Sequence, residues 1–268
     1  MDVVRFGVVG VGSMGHLHAE YLARRVPNAS LAAIADVDLA TAHIVGGRLG
    51  VTRTFATMTQ LLAAVEVDAL VVASPRRAHA DMIIEAAQAG KHIFSEKPLA
   101  NTLEEIDAAT AGVEKAGVGL QVGFHRRFDA SFRHVRDAIA LGELGDVRIV
   151  HSISRDPVWG TSSRSPEDLI LETTIHDFDM VRYMSADEIT EVHATALPAE
   201  AGRLDGVIVS LKLASGAVAT IDNHVASAYG YDQRVEVFGT QGKASVQNVA
   251  SHTEIGRASC RERVYVLV

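Results

Sequence analysis

The residues best suited to acid–base chemistry lie in one short stretch of the chain. His176 follows Glu172 by four positions and precedes Asp179 by three, so a helix that extends back to Glu172 would place all three on one face. Histidine titrates near neutral pH, and a carboxylate can orient the ring and stabilise its cation, so the pattern predicts a general base for alcohol oxidation. A surface helix with capping acids is the alternative. One histidine without a usable cysteine argues against zinc, and we expect no metal.

A lysine stands in a second position where chemistry is possible. Lys97 lies in the segment SEKP, which follows the predicted strand His92–Phe94. In a doubly wound sheet, ligands bind beyond the carboxyl ends of the strands, so we expect Lys97 to face the cofactor cleft. An ammonium there can hold a substrate hydroxyl and stabilise a developing alkoxide. A purely structural Lys-Pro loop is the alternative, and spacing alone does not decide between them.

Three glycines predict a site for a dinucleotide. Gly10, Gly12 and Gly15 form a G-x-G-x-x-G pattern between a predicted strand and a predicted helix. Gly10 permits a tight turn, Gly12 leaves room for a pyrophosphate, and Gly15 lets the helix pack on the strand. The helix begins at Ser13 and Met14, where free N–H groups carry partial positive charge. The alternative is an ordinary glycine-rich turn.

An aspartate predicts which dinucleotide binds. Asp36 ends the second predicted strand, 21 residues after Gly15. A carboxylate there accepts hydrogen bonds from a ribose diol and repels a 2′-phosphate, and no arginine is expected nearby to neutralise one. The pattern therefore favours NAD over NADP. Asp36 could instead cap the next helix, but Asp38 suits that role better.

The elements that must position these residues differ between the two halves of the chain. Up to residue 122, apolar runs alternate with helical patterns, which predicts parallel strands buried on both faces of a doubly wound α/β sheet. The predicted strands of this NAD-binding Rossmann domain, residues 1–122, are Val3–Val9, Leu31–Ala35, Ala69–Ala73, His92–Phe94 and Gly119–Val122. The predicted helices are Ser13–Arg25, Leu39–Leu49, Arg76–Ala89 and Leu103–Ala116.

Strands dominate after residue 123. Helical patterns cover Phe128–Leu141 and Ile175–Met184, and the step Ala214–Gly216 resembles a hairpin turn. The predicted strands are Val147–Ser154, Ile189–Leu197, Val207–Leu213, Val218–Asp222 and Arg234–Phe238. Residues 123–253 are therefore predicted to form an α+β domain with a mostly antiparallel sheet.

Composition excludes several classes of protein. The chain of 268 residues is 48% hydrophobic and carries a net charge of −8, which fits a soluble globular protein and disfavours general nucleic-acid binding. No apolar run approaches the ~20 residues of a membrane span. Cys260 is the single cysteine, so no internal disulfide can form. We expect a cytoplasmic protein without nucleic acid or membrane as partner.

The last fifteen residues break the pattern. Residues 254–268 read EIGRASCRERVYVLV, and the part EIGRASCRERV resembles the translation of a short-read sequencing adapter. We therefore expect the natural sequence to end near Thr253 and the tail to pack poorly. The strands around Val235–Val246 would then lack a neighbour. An unusual but genuine tail is the alternative.

Seven motifs occur together in one order along the chain. They are GVGSMG, IADVD, SEKPLA, QVGFHRRFD, SRDP, TIHDFDMVRYM and YGYDQRVEVFG. The set resembles the Gfo/Idh/MocA oxidoreductases and, within them, the inositol 2-dehydrogenase branch, over nearly all of residues 3–248. The resemblance implies a Rossmann domain and a second domain, residues 123–253, that binds substrate. The open sheet of this second domain commonly forms an oligomer interface, in a dimer or tetramer, and family members are longer, so we expect the domain to be incomplete here.

The resemblance also implies an activity and its residues. The expected reaction is NAD-linked oxidation of a cyclic polyol, myo-inositol to 2-keto-myo-inositol, with His176 as base, Lys97 assisting proton transfer and Glu172 completing the catalytic group. Cofactor contacts are expected from the glycine motif with Ser13 and Met14, and from Asp36, Ser74, His79 and Glu96. Substrate contacts are expected from Arg127, Asp156, Asp179 and Tyr231.

Some positions depart from the branch and leave the substrate open. Glu172 stands where the branch usually has Asp, and the extra methylene moves the carboxylate by roughly 1.5 Å. His125 replaces an Asn, and Pro166–Asp168 replaces a Gly-Gly. Scyllo-inositol, a pyranose sugar and a non-catalytic NAD-binding regulator are the alternatives. The presence of both Lys97 and His176 argues against the regulator.

Overall fold

The computed structural model describes residues 3–157, 164–228 and 230–247, together with the backbone of residues 253–258 and 263–266. The chain divides into two compact units between Gly123 and Phe124. The first is a parallel Rossmann-type sheet and the second a mostly antiparallel sheet, so the fold class predicted from the sequence is confirmed. No helix among the described residues is long and apolar enough to cross a membrane.

The first unit is a six-stranded parallel sheet with the strand order β3-β2-β1-β4-β5-β6. Its strands are β1 (Val4–Val9), β2 (Ala29–Ala35), β3 (Thr54–Phe55), β4 (Ala69–Val72), β5 (His92–Ser95) and β6 (Leu120–Val122). Its helices are α1 (Ser13–Arg24), α2 (Leu39–Leu49), α3 (Met58–Ala64), α4 (His79–Gln88) and α5 (Leu103–Ala116). The order reverses between β1 and β4, where doubly wound sheets bind their ligands.

Both faces of this sheet are buried, which explains its continuous apolar strands. Val8 belongs to an apolar cluster with residues of α1 and α2, such as Ala19 and Val45. Its neighbour Val9 belongs to a separate cluster with residues of α3 and α4, such as Leu61. Successive side chains of a strand point to opposite faces, so the consecutive buried positions Val8 and Val9 are both apolar.

The second unit is built on one twisted sheet with the order β14-β13-β12-β11-β7-β10-β9-β8. Its strands are β7 (Val147–Pro157), β8 (Ile189–Pro198), β9 (Leu204–Leu213), β10 (Val218–Ser227), β11 (Asp232–Gly239), β12 (Gly242–Val246), β13 (Thr253–Ala258) and β14 (Arg263–Val266). Strands β7 and β10 pair in parallel, and the other described pairs are antiparallel. The predicted hairpin turn joins β9 to β10, with Gly216 at a φ of +88°.

Helices cover one face of this sheet. They are α6 (Ala130–Ala140), the short α7 (Pro166–Asp168) and α8 (Ile175–Ser185). Met180 and Met184 of α8 join one apolar cluster with Val150 of β7 and Ile221 of β10. Along β10 every second residue is buried, which is the alternation expected of a strand with one covered face.

The tail predicted to be non-native forms backbone pairs at the edge of the sheet. Strand β13 pairs with β12 from Val246↔Thr253 to Gly242↔Arg257, and β14 pairs with β13. The sheet edge at β12, expected to lack a neighbour, is therefore occupied. The side chains of this segment, and its residues outside the two strands, lie beyond the described part of the chain. Its origin remains a prediction.

Candidate functional site

The glycine loop of the first unit has the shape that a dinucleotide needs. Gly10 has a φ of +84°, and a Cβ atom there would lie 2.7 Å from the backbone oxygen of Ala73. A Cβ on Gly15 would lie 1.8 Å from the oxygen of Gly10. The chain itself therefore requires these two glycines. A Cβ on Gly12 would meet no atom within 4 Å, so Gly12 borders open space.

Helix α1 begins at this open space. Its N-cap is Gly12, which offers no side chain to the first N–H groups, and Ser13 and Met14 are exposed. Uncapped amides at a helix N-terminus bind anions, because their N–H groups and the helix dipole favour negative charge. The residues present therefore fit a pyrophosphate.

Asp36 shapes the loop and also reaches the adjoining cavity. Its Oδ2 accepts a hydrogen bond of 2.7 Å from the amide of Val11, and its Oδ1 accepts one of 2.9 Å from the amide of Asp38. A carboxylate has about four acceptor sites, so capacity remains for a ribose diol. Asp38 caps α2 by accepting from the amides of Ala40 and Thr41, which confirms the cap predicted for Asp38. The contact of Asp36 with a ribose stays a prediction.

A cavity of about 450 Å³ lies at the carboxyl ends of β1, β2 and β4. Gly10, Asp36 and Ser74 line it, as expected for residues on the cofactor side. Arg77 lines it too, which corrects the expectation that no arginine lies near Asp36. The size and the mixed polar and apolar lining fit the adenosine part of a dinucleotide.

The structure corrects the predicted role of His79. This side chain is 1% exposed, and its Nδ1 and Nε2 lie 2.8 Å and 2.7 Å from the carbonyl oxygens of Pro98 and Ser74. Both ring nitrogens are occupied by backbone of the protein itself. His79 therefore ties the loop of Lys97 and Pro98 to the end of β4 and is not placed to contact a cofactor directly.

Glu96 also has a partner within the protein. Its Oε1 lies 2.7 Å from Nε2 of His18 on α1, and its Oε2 accepts from the amide of Lys97. Burial disfavours the charged carboxylate, but these contacts outweigh burial and lower the pKa of Glu96. The pair of His18 and Glu96 joins α1, the helix after the glycine loop, to the segment that carries Lys97. Lys97 itself is half-buried.

In the second unit, four consecutive residues contact the start of α8. The rings of Phe124 and His125 lie 6.3 Å and 4.8 Å from the ring of His176, both edge-on. Arg126 and Arg127 bind the next two acids of α8, Asp177 and Asp179. A short 3₁₀ turn, His125–Phe128, presents these side chains, and Asp129 ends the turn by capping α6. His176 is 9% exposed.

Asp177 is the centre of a buried polar network that the sequence did not reveal. Its exposure is 0%, and its Oδ1 accepts hydrogen bonds from Arg126, Ser152 and Ser154 at 2.6–2.9 Å. Its Oδ2 accepts from Asn223 on β10. The network anchors α8 on β7 and β10 one residue after His176.

Glu172 lies on an irregular turn. Residues Leu169–Thr174 form a π-helix that leads into α8, so helical structure does extend back to Glu172. A π-helix does not have the α-helical spacing, and the prediction that Glu172 and His176 share one face depends on that spacing. The Oε2 of Glu172 accepts a hydrogen bond of 3.1 Å from Arg164. Single-turn π-helices occur often at functional sites.

The residues predicted to contact substrate are placed on neighbouring elements. Arg127 donates from Nε and Nη2 to Asp179, and this pair raises the pKa of the guanidinium. Burial raises the pKa of the Tyr231 phenol, Asp156 and Asp177 add to the rise, and Arg126 opposes it. Tyr231, just before β11, is thus connected to the network of Asp177.

The described residues hold no group of three or more His, Cys, Asp or Glu side chains that could bind a metal ion. His125, Arg126 and Asp177 are the residues near His176 that sequence reasoning left without a role. The adjacent charges in RRFD and HDFD are typical of residues that form ion pairs. Nothing in either motif indicated that the partner of each arginine lies in the other motif.

Comparisons with known proteins agree with this picture. Residues 4–124 match the model of an oxidoreductase family with an NAD-binding Rossmann fold, and residues 132–245 match the GFO/IDH/MocA C-terminal domain. The chain is 37% identical over 260 residues to a myo-inositol 2-dehydrogenase of Thermotoga maritima, covering 94% of this chain and 78% of the relative. It is 40% identical over 258 residues to an inositol 2-dehydrogenase of Rhizobium meliloti, covering 91% and 76%.

A solved structure is similar over nearly the whole chain. It is a scyllo-inositol dehydrogenase from Lactobacillus casei with bound NAD(H) and scyllo-inositol. The TM-score is 0.88 at 29% identity, and the match covers 98% of this chain and 82% of the other. The fold described above is therefore one that holds NAD(H) in a related protein.

Proposed function

This chain belongs to the Gfo/Idh/MocA oxidoreductase family, and from that premise we propose that it oxidises one hydroxyl of a cyclic polyol, myo-inositol to 2-keto-myo-inositol. It is an NAD-dependent oxidoreductase that acts on a CH–OH group. The observation that carries the choice of substrate is its 37–40% identity to inositol 2-dehydrogenases over about three quarters of their length.

The geometry of the first unit supports the cofactor part of the proposal. Gly12 leaves room for the pyrophosphate, the amides of Ser13 and Met14 bind it, and Asp36 accepts from the adenosine ribose. When bound, NAD⁺ accepts the hydride that leaves the carbinol carbon. Ser74 borders the adenosine, and Glu96 acts by holding the segment of Lys97.

The second unit supplies the proton acceptor. His176 takes the hydroxyl proton, Glu172 supports the resulting cation, and Lys97 of the first unit stabilises the alkoxide as the hydride departs. The products are a ketone, NADH and one proton held by His176. Asp177 and Asp179 are each paired with an arginine, and these pairs hold α8 in position.

Arg127, Asp179, Tyr231 and Asp156 are assigned to the polyol. The pair of Arg127 and Asp179 is half-open on its arginine side, which leaves N–H donors for hydroxyl oxygens. Scyllo-inositol is the second candidate substrate, because a neighbour of the same fold holds it and a curated relative at 35% identity is a scyllo-inositol 2-dehydrogenase. We also retain the prediction of a homo-oligomer, which light scattering would measure.

The test is NAD reduction over a panel of inositol isomers and pyranoses. We expect myo-inositol to give the highest kcat/KM, followed by scyllo-inositol. Lys97→Met and His176→Ala should each lower kcat by about 10²-fold or more, the usual scale for an acid–base group, with little change in NAD affinity. Lys115→Met and His134→Ala, on exposed parts of α5 and α6, are the matched controls.

One outcome would reject the proposed reaction, and another would reject the role of one residue in it. Absence of NAD reduction with every polyol, in a protein that binds NAD, would remove the activity. A near-normal kcat in either variant would remove that residue from the mechanism while leaving the reaction itself in place.

A further inference from the structure

The base proposed above has a second imidazole beside it. The centroids of the His125 and His176 rings lie 4.8 Å apart with an angle of 72° between the planes. His176 is 9% exposed, whereas His125 is exposed to solvent. The described residues place no other histidine ring against His176.

We propose that His125 is a positioning residue that acts through His176: the two rings take up protons as one coupled pair, in which the first proton lies on His125. The inference rests on the proposed role of His176 as the base. In this proposal His125 keeps His176 neutral at pH values at which His176 alone would already be protonated. A neutral His176 can accept the hydroxyl proton.

Two physical facts give this order of protonation. Burial disfavours the charged form of His176, while His125 can hydrate its cation. Once His125 is charged, a second positive charge about 5 Å away is opposed by repulsion. This repulsion is equivalent to about half a pH unit in the dielectric of water and to more in a less polar site. Such a pair titrates in two steps that belong to both rings.

The other charges around α8 act on the pair from fixed positions. Asp177 is held by Arg126, and Asp179 by Arg127, so each acid is neutralised by a neighbour. The titratable and charged groups on the elements packed here include Glu172 with Arg164 on the π-helical side, Asp177 and Asp179 on α8, Arg126 and Arg127 on the 3₁₀ turn, and Asp156 and Tyr231 at the sheet. Arg182 of α8 is paired with Glu188, and Arg155 of β7 with Asp222 of β10. All of them remain when His125 alone is replaced.

A packing role for the His125 ring is the competing explanation. Phe124 also sets its ring edge-on against His176, at 6.3 Å, without any charge. His125→Phe keeps an aromatic ring and removes the titration, whereas His125→Asn removes both the ring and the titration. The two variants together separate charge from packing.

The experiment is the pH dependence of kcat/KM, which reports groups of the free enzyme. In both variants we expect the acid limb to move to higher pH by about half a unit or more, because the charge of His125 no longer opposes the proton on His176. The plateau kcat should change less than threefold. His134→Asn, an exposed histidine of α6, should leave the profile unchanged.

A shift in His125→Asn but not in His125→Phe would overturn the proposal in favour of packing, and an unchanged profile in both would overturn it outright. If His125→Asn does not fold, His125→Phe carries the test alone. A measurement free of turnover separates this inference from the proposed function. The NMR titration midpoint of the His176 ring, assigned with His176→Asn, should rise in His125→Phe even if no polyol is oxidised. An unmoved midpoint would reject the coupling.

Discussion

In the first unit the glycine loop owes its shape to missing side chains, whereas in the second unit His176 is held in place by side chains from several other elements. Gly15 lets α1 lie against the backbone of Gly10, a contact that no other residue permits. Around His176, by contrast, Arg126 and Asp177 form a pair across 51 positions of the sequence. One region is built by local backbone geometry and the other by distant charge pairs.

The difference predicts how each region fails. A substitution in the loop acts through steric exclusion, which is local and nearly absolute. A substitution in the charge network acts through an unpaired buried charge, so its cost depends on whether the partner is removed as well. Substitutions in the two regions should therefore differ in how much stability and binding they remove.

The largest effect is expected for Gly15→Ala. Its Cβ would lie 1.8 Å from a backbone oxygen, so α1 must move away from β1. We expect a loss of stability above the roughly 1–3 kcal/mol of ordinary overpacking, and no measurable NAD binding. Urea unfolding and calorimetric titration with NAD measure the two effects.

Two other glycines serve as controls for that variant. Gly12→Ala meets no atom within 4 Å, so it should keep the stability and lose NAD affinity. Gly47→Ala, exposed on α2 and equally unhindered, should keep the affinity and gain up to ~1 kcal/mol of stability. If Gly12→Ala binds NAD normally, the pyrophosphate does not pass over this loop.

The second effect is expected for Asp177→Asn. It leaves Arg126, which is 4% exposed, without a carboxylate, and breaking a buried pair in this way costs about 3–5 kcal/mol. Asp137→Asn, on the exposed side of α6, should change the free energy of unfolding by less than about 0.5 kcal/mol. Both are measured by denaturant unfolding.

A double variant tests whether Arg126 and Asp177 act as a pair. Arg126→Met combined with Asp177→Asn should cost less than the sum of the two single changes, because no unpaired charge remains. Additive losses would show that the two residues contribute independently, and the contrast between the two units would then weaken.

The sequence predicted the first region in more detail than the second. The glycine motif and Asp38 were identified because their roles depend on neighbours a few positions away, and Asp36 because it ends a predicted strand at a fixed spacing from Gly15. Strand β3 and helix α3 were missed, since a strand of two residues has no period to detect. Five strands of the second unit, β7 to β11, were predicted, but β12 was not.

Long-range pairing explains what the sequence could not give. Nothing near Arg126 indicates that its partner is Asp177 rather than the adjacent Asp179, and the choice follows from where the 3₁₀ turn meets α8. His79 was expected at the cofactor only because the family resemblance implied it, but in the buried site both of its ring nitrogens contact backbone carbonyl oxygens. The π-helical turn before His176 has no sequence signal of its own.

A third, smaller effect is expected for Arg127→Lys. Arg127 binds Asp179 through two nitrogens and lies over the rings of Phe124 and Tyr183, and lysine keeps the charge but loses the fork and the stacking. Because the guanidinium is partly exposed, we expect a loss of about 1 kcal/mol, with a higher KM for the polyol. Arg133→Lys, exposed on α6, is the control for stability and KM.

The smallest effect tests the pair that joins the glycine loop to the segment of Lys97. The pKa of Glu96 is lowered below its ordinary 4.5, so its charged form stabilises the fold above that pH, and this contribution is lost as the pH falls through the lowered value. Glu96→Gln should therefore be less stable than the wild type at pH 7, and the gap should close in acid. Urea midpoints at pH 7, 5, 4 and 3 measure it, with the exposed Glu104→Gln as control. A gap that stays constant with pH would mean that Glu96 acts by shape and not by charge, as the glycines of the same unit do.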